Sequence, residues 1–235
     1  LHANGYGAAF REQHLVPMAS ALWSTPAGGI LQFPARHLVQ FMANHHMLQV
    51  RGRPQWRVIE GGSSAYVREL SRRWRARVRL GDAVRSVLRD GAGATVTSLS
   101  GPERYDHVVL ACHSDQALGL LADPSAAERE VLGAIPYQAN ETVLHTDVRL
   151  LPRRRLAWAG WNYHVRPNGG PVALTYNMNI LQRLDAPTPF LVTLNHTDAI
   201  DPDRIIKRIT YHHPLYTPAS VAAQARHREI DGARG

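Results

Sequence analysis

The sequence predicts a mixed α/β (α+β) chain, and three patterns predict it. Residues 6–45 carry apolar side chains at helical spacing. Residues 56–111 mix short strand patterns, turns and one helix. Residues 142–213 hold strand candidates in succession without helical crossovers, the pattern of an antiparallel sheet. A length of 235 residues suffices for one large domain or two small ones, each with a core. Hydrophobic content of 44% with 20% charged residues excludes a disordered chain. No apolar run approaches the ~20 residues of a membrane span. The single cysteine, Cys112, excludes a disulfide framework and a Cys-rich zinc module. No charged-then-apolar leader opens the sequence, so the expectation is a cytoplasmic protein with no integral membrane segment.

Each element has its own signal. In residues 6–23, Phe10, His14, Leu15, Met18, Leu22 and Trp23 fall on roughly one side of a helix that Pro17 should break. Residues 25–29 read as a turn. Pro34 occupies a first-turn position before a second stripe of Leu38, Phe41, Met42 and His45. Residues 56–59 read as a short strand ending at Gly61-Gly62. Ser63 or Ser64 can then cap a helix carrying Tyr66, Val67, Leu70 and Trp74. Val78 and Leu80 alternate with arginines, Val84, Val87 and Leu88 follow, and Asp90-Gly91-Ala92-Gly93 supplies a hairpin turn into residues 95–97. After a turn at Gly101-Pro102, residues 105–111 form the most apolar run, expected as a strand buried on both faces in a parallel sheet. A helix follows Cys112-His113-Ser114 through Leu121, and Asp123-Pro124-Ser125 opens another through Leu132. Strands are then expected at 142–145, 156–163, 172–176, 190–194 and 205–213, before a short helix from Ala219. The divisions that follow are 1–54, 55–122, 123–217 and 218–235.

The net charge of +8 is unusual in kind, because Lys207 is the only lysine. So much arginine, beside abundant alanine, reads as the codon bias of a GC-rich genome. The densest cluster is Arg68, Arg72, Arg73, Arg75, Arg77 and Arg79, interrupted by Trp74. A nucleic-acid partner would use such a cluster for phosphates, but no recognition motif accompanies it, and it reads as a solvated helix face running into an exposed strand. No nucleic-acid partner is expected. Neither His45-His46 nor His212-His213 can chelate one ion alone, since neighbours on a helix or strand diverge, and no HExxH is present. No metal site is expected. Cys112 beside His113 reads as a small buried thiol at a strand end, not a nucleophile with its base. The run Gly5-Tyr6-Gly7-Ala8-Ala9-Phe10 imitates a dinucleotide motif but has no strand before it and no third glycine.

The order of strand 56–59, Gly61-Gly62-Ser63, helix with Tyr66 and Leu70, the run 78–87, a hairpin and residues 105–111 resembles the middle segment of flavin-dependent amine oxidases and their protoporphyrinogen-oxidase and phytoene-desaturase relatives. The stretches 15–24, Pro54-Gln55-Trp56-Arg57, 113–118 and Trp161-Asn162-Tyr163 look like one bacterial branch, the predicted NAD/FAD-binding proteins or FAD-dependent amine oxidoreductases. The resemblance implies an FAD-dependent oxidoreductase that passes hydride equivalents from a small-molecule substrate to FAD. It implies that 55–122 is the middle of a Rossmann-like FAD-binding domain, that 1–54 and 123–217 form a substrate domain, and that 218–235 returns toward the flavin. It places Gly61, Gly62, Ser63, Val84, Ala111 and Cys112 on the cofactor side, with the Val84 backbone against the adenine. Trp158, Trp161, Tyr163 and Tyr176 are the candidate substrate-pocket wall, with ordinary sheet packing as the other reading. No residue is an evident general base, and Lys207 matches no family position. The run Tyr176-Asn177-Met178-Asn179 departs from the pattern, having asparagine where a second aromatic is expected. The glycine-rich phosphate loop and the carboxyl-terminal flavin segment are not in the sequence, so the chain is expected to be an internal piece that does not retain FAD by itself. The rival reading is a non-catalytic binding or assembly module whose arginine face docks an acidic partner. Substrate identity, electron acceptor and oligomeric state stay open.

Overall fold

Pro17 does not break the first helix. The computed structural model describes residues 4–74, 78–166 and 170–232. In it α1 (Ala8–Phe10) runs through a π-helical turn, Arg11–Leu15, into α2 (Val16–Trp23), where Pro17 takes a first-turn place. The wider turn ahead of the proline leaves room for a ring that has no N–H to donate and would otherwise press on a preceding carbonyl. The remaining helices are α3 (Ala27–Ile30), α4 (Ala35–Asn44), α5 (Ser63–Arg73), α6 (Ser114–Leu120), α7 (Ala126–Gly133), α8 (Met178–Gln182) and α9 (Pro218–Gln224). The strands are β1 (Val84–Asp90), β2 (Gly93–Ser98), β3 (Gly101–Tyr105), β4 (Tyr137–His145), β5 (Trp161–His164), β6 (Ala173–Asn177), β7 (Leu191–Leu194) and β8 (Ile205–Pro214). Two compact units contain them, one made of Leu1–Trp74 with Gln138–His213, the other of Arg75–Tyr137 with Pro214–Gly235.

The first unit is built on a five-stranded sheet in the order β5-β6-β7-β4-β8. Its pairs β5/β6, β6/β7 and β7/β4 are antiparallel. The register puts Trp161 opposite Tyr176, Tyr163 opposite Leu174, and Leu174 opposite Leu194, so these share one face. The other face carries Val143, His145, Thr175, Thr193 and His164. Helix α2 packs on β5, where Ala21 joins Val172 and Leu174 in a buried cluster flanked by Tyr163 and Tyr176. A second cluster of Val143, Leu150 and Ile200 covers the opposite face. The second unit is a three-stranded meander, β1-β2-β3, with Val87, Ala94 and Leu121 buried between it and α6. Gly93 closes its hairpin at φ +139°, where a Cβ would run into the Tyr105 carbonyl oxygen, so only glycine fits there.

Several sequence expectations are corrected. Residues 25–29 are not a simple turn, because Gly29 and Ile30 both donate to the Pro26 carbonyl (2.9 Å each) and start α3. Residues 56–59 belong to no strand or helix, and Trp56 is 73% exposed. A strand needs a neighbour for its backbone groups, and apolar composition does not supply one. The expected strand 105–111 ends at Tyr105, as the last residue of β3. Beyond it Val108 and Leu110 pack on the Val87 cluster while Val109 is 90% exposed, so one side faces in and one out. Cys112, at the bend before α6, is exposed, not buried. Neither Ser63 nor Ser64 caps α5; Gly62 occupies the cap position without a side-chain bond. Only the end of the expected strand 156–163 is a strand, since Arg155–Ala157 forms a 3-10 turn. Pro102 lies within β3 opposite Thr97, an edge strand that tolerates a residue without an N–H.

Candidate functional site

The aromatic face of β5 and β6 forms one wall of a cavity of about 1260 Å³ in the first unit. Strand alternation places Trp161 and Tyr163 side by side there, next to Leu174. Facing them, α2 contributes Pro17, Met18, Ala21 and Leu22, and Ile180 and Leu181 come from α8. Phe41 of α4 and His45 at its C-cap lie one turn apart and stack with ring centroids 4.0 Å apart. The segment 55–58 completes the lining with Gln55, Trp56, Arg57 and Val58. Arg183 follows α8 in a left-handed conformation at φ 51° and also lines it. Burial raises the pKa of the Tyr163 phenol, with a hydrogen bond to Ser20 acting against it, and burial raises that of Tyr176. Both phenols stay protonated at neutral pH.

The structure brings Trp161 and Tyr163 into this cavity together. Tyr176 stands behind Trp161, edge-on at 5.3 Å between ring centroids. Trp158 is elsewhere, its indole N–H donating to the Pro152 carbonyl at 2.8 Å and Arg155 lying 5.6 Å over its ring. Sequence reasoning missed Phe41, Arg57 and Arg183 as lining. The stripe Leu38, Phe41, Met42, His45 was the available signal for the first; nothing local marks the arginines.

The residues expected on the cofactor side divide between the units. Gly61, Gly62 and Ser63 belong to the first. Both glycines are left-handed, at φ 77° and 72°, and a Cβ at Gly62 would meet nothing within 4 Å. Backbone so uncovered, at the start of an 11-residue helix with no side-chain cap, suits the close approach of a flat or anionic group, which is the fit a flavin dinucleotide requires. Val84, Ala111 and Cys112 belong to the second unit. Val84 opens β1 opposite Ser98 and lines a cavity of about 570 Å³ with Val96, Ser98 and Tyr105. Arg79 and Glu103 form an ion pair at its edge, and hydrogen bonds from Ser98 and Ser100 with the Arg79 charge lower the pKa of Asp82 there. Ala111 and Cys112 are exposed just before α6. Lys207 is on β8 and lines neither cavity. In the arginine cluster, Arg72 and Arg73 pair with Glu69 at 3.0 and 3.7 Å on exposed α5; Arg75 and Arg77 lie outside the described residues.

The sheet face opposite the aromatic wall carries a hydrogen-bonded row across four strands. The Asp147 backbone N–H donates to His145 Nδ1 at 3.0 Å, which makes Nε2 the protonated nitrogen of the neutral ring. His145 Nε2 donates to Thr193 Oγ1 (2.7 Å), Thr193 and Thr175 hydroxyls are 2.8 Å apart, and Thr175 Oγ1 is 2.8 Å from His164 Nε2. Each hydroxyl accepts on one side and donates on the other, leaving His164 Nε2 an acceptor. Burial lowers the pKa of His145, against the nearby Asp147. Burial, then the charges of His196 and Arg166, push His164 down to about 4. Asp147 is held well below the carboxylate range by a two-pronged bond from Arg149 (2.9 and 2.6 Å) and by the Asp201 N–H (2.9 Å). Sequence reasoning missed this row, although Thr175 and Thr193, polar in the middle of apolar strands, signalled it.

Comparisons with known proteins agree with this architecture. The model of the family described as flavin containing amine oxidoreductase matches residues 14–160, well over half of the chain. No curated protein matches the sequence. Among solved structures, a putative protoporphyrinogen oxidase from Exiguobacterium sp. 255-15 is similar at 17% identity and a TM-score of 0.55, covering 95% of this chain and 56% of that one. A CLA-producing fatty acid isomerase from P. acnes matches at 15% identity and 0.49, covering 73% and 44%. A putrescine oxidase variant matches at 14% and 0.41, covering 61% and 32%. The first of these shows the fold, and the chain spans 32% to 56% of the length of the three. The family match runs from α2 to the turn before β5, across the cavity's helical wall, the glycine pair and the β1–β3 meander, and on it the chain belongs to the flavin-containing amine oxidoreductases, whose cofactor is FAD.

Proposed function

We propose that this chain forms part of an FAD-dependent oxidoreductase whose small-molecule substrate occupies the cavity between the β5–β6 face, α2 and α4. The observation that carries the reading is the 1260 Å³ apolar cavity with Trp161 and Tyr163 on one rigid sheet face, in a chain of a flavin family. FAD supplies a two-electron acceptor for hydride equivalents. The chain's own residues bind and orient the substrate and exclude water, with rigid aromatic rings whose positions the strand register fixes. On the cofactor side, Gly61, Gly62 and Ser63 offer open backbone, and Val84, Ala111 and Cys112 offer the contacts that the family pattern assigns to them.

The test uses protein expressed from its native reading frame. A flavin absorbance spectrum, bleached anaerobically by substrate, is expected. Trp161→Ala with Tyr163→Ala should slow bleaching at least tenfold at unchanged flavin content. Protein that takes up no FAD overturns the reading, and unchanged bleaching in the double variant removes the cavity from it.

A further inference from the structure

The same cavity carries a charge pattern that narrows what it can hold. Beside the Tyr163 phenol, the polar side chains that line it are His45, Gln55, Arg57 and Arg183, and among the described residues no carboxylate does. Arg57 and Arg183 can only donate, whereas His45 and Gln55 can also accept. The His45 Nδ1–H donates to the Phe41 carbonyl at 2.9 Å, which fixes its ring on α4. Neither Arg57 nor Arg183 has an ion-pair partner among the described residues, although most arginines of the second unit's meander do. Arginine is the side chain whose planar fork matches a carboxylate. Two such cations at the wall of an apolar cavity repel an ammonium group, whereas an amine site needs an acid or an uncharged aromatic enclosure. The volume is above the ~300–1000 Å³ of ordinary ligand pockets, which leaves it underfilled by a small polar amine.

Resting on the reading of this cavity as the substrate site, we infer that its ligand is a carboxylic acid with a large apolar body, its carboxylate held by Arg57 and Arg183 and its body laid along Trp161, Tyr163 and Phe41. The apolar body contributes affinity through burial. The two guanidiniums contribute orientation, fixing which end of the ligand points inward.

The experiment is calorimetric titration of the purified protein, expressed from its native reading frame, with dodecanoate, dodecanol and dodecylamine below their micelle concentrations at neutral pH. Dodecanoate is expected to bind at least tenfold tighter than dodecanol, and dodecylamine weaker than both. R57Q and R183Q should each weaken dodecanoate about tenfold, since each removes one charged hydrogen-bond partner, and leave dodecanol unchanged. The dodecanol arm shows that a variant is folded with its cavity intact. Equal or tighter binding of the amine, or dodecanoate affinity that ignores both substitutions, overturns the inference. The calorimetric readout requires no flavin signal, so the flavin reading and the carboxylate reading fail separately. Yellow protein without carboxylate preference sinks only the second, and colourless protein that binds dodecanoate through both arginines sinks only the first.

Discussion

At the scale of single residues, Thr193 has the most to lose. Its hydroxyl bonds to both His145 and Thr175, and all three side chains are fully buried. Thr193→Val keeps the shape and removes both bonds, leaving a buried imidazole N–H without its acceptor. A loss of about 1–3 kcal/mol is expected by urea denaturation, the range for stranding a buried polar group. Thr193→Ser, which restores the hydroxyl, should recover most of it. Cys112 offers a simpler check. Its thiol is exposed before α6, so a thiol reagent should label it stoichiometrically in the folded protein. Protection until denaturant is added would mean that the bend is covered in solution.

At the scale of elements, the second unit ties β1 to α7 through charge. Arg89 on β1 reaches Glu128 with two bonds, 2.5 and 2.9 Å, and Asp123 with a third at 3.2 Å. The Arg89 and Glu128 side chains are 9% and 5% exposed. Glu128 also closes the capping box at Ser125, and its pKa is pushed down to about 2, chiefly by Arg89. Arg89→Ala therefore strands a buried carboxylate, and about 3–5 kcal/mol of unfolding free energy should be lost. A loss below ~1 kcal/mol would show that the pair is hydrated in solution. Elements of this kind were partly legible in sequence. The turn Asp90–Gly93, the cap at Ser125 and the strands around Val143, Leu174 and Val192 show themselves through local chemistry and period-two alternation. Residues 56–59 and 106–111 misled because they carry the composition of strands, and whether a strand forms is decided by a neighbour that composition does not name.

At the scale of the whole molecule, acid should act in one direction. His145, His164 and His196 are all held neutral, chiefly by burial, with Arg166 charge opposing protonation at the last two. Each titrates near 6.5 once unfolded, so below that pH the unfolded chain binds more protons and stability falls with pH. The loss from His164 accumulates from about pH 6.5 down to about 4. Glu128 and Asp147, depressed by their arginines, extend the same trend to lower pH. Denaturation midpoints are expected to be flat from pH 7 to about 9, below the range in which tyrosines titrate, and to fall steadily beneath 6.5. A His164→Asn variant should show a shallower fall over the first two pH units, and an identical slope would mean His164 is not the group titrating. The candidate site was legible only where it is local. Trp161 and Tyr163 stand two apart on one strand, and their shared face can be read directly. The rest of the cavity comes from α2, α4, residues 55–58 and Arg183, far apart in the chain, and their convergence is a property of the packed unit.

The histidine–threonine row also decides alignment. Apolar faces alone discriminate weakly between neighbouring ways of laying one strand beside another. Sliding β7 by one residue would turn Thr193 toward the aromatic wall and bury Val192 or Leu194 among polar partners. Sliding it by two would keep the side but carry the hydroxyl about 6.7 Å along the strand, out of reach of both His145 and Thr175. Of these alignments of β7 only the observed one closes the row, and it is the one that sets Leu194 beside Leu174 on the aromatic side.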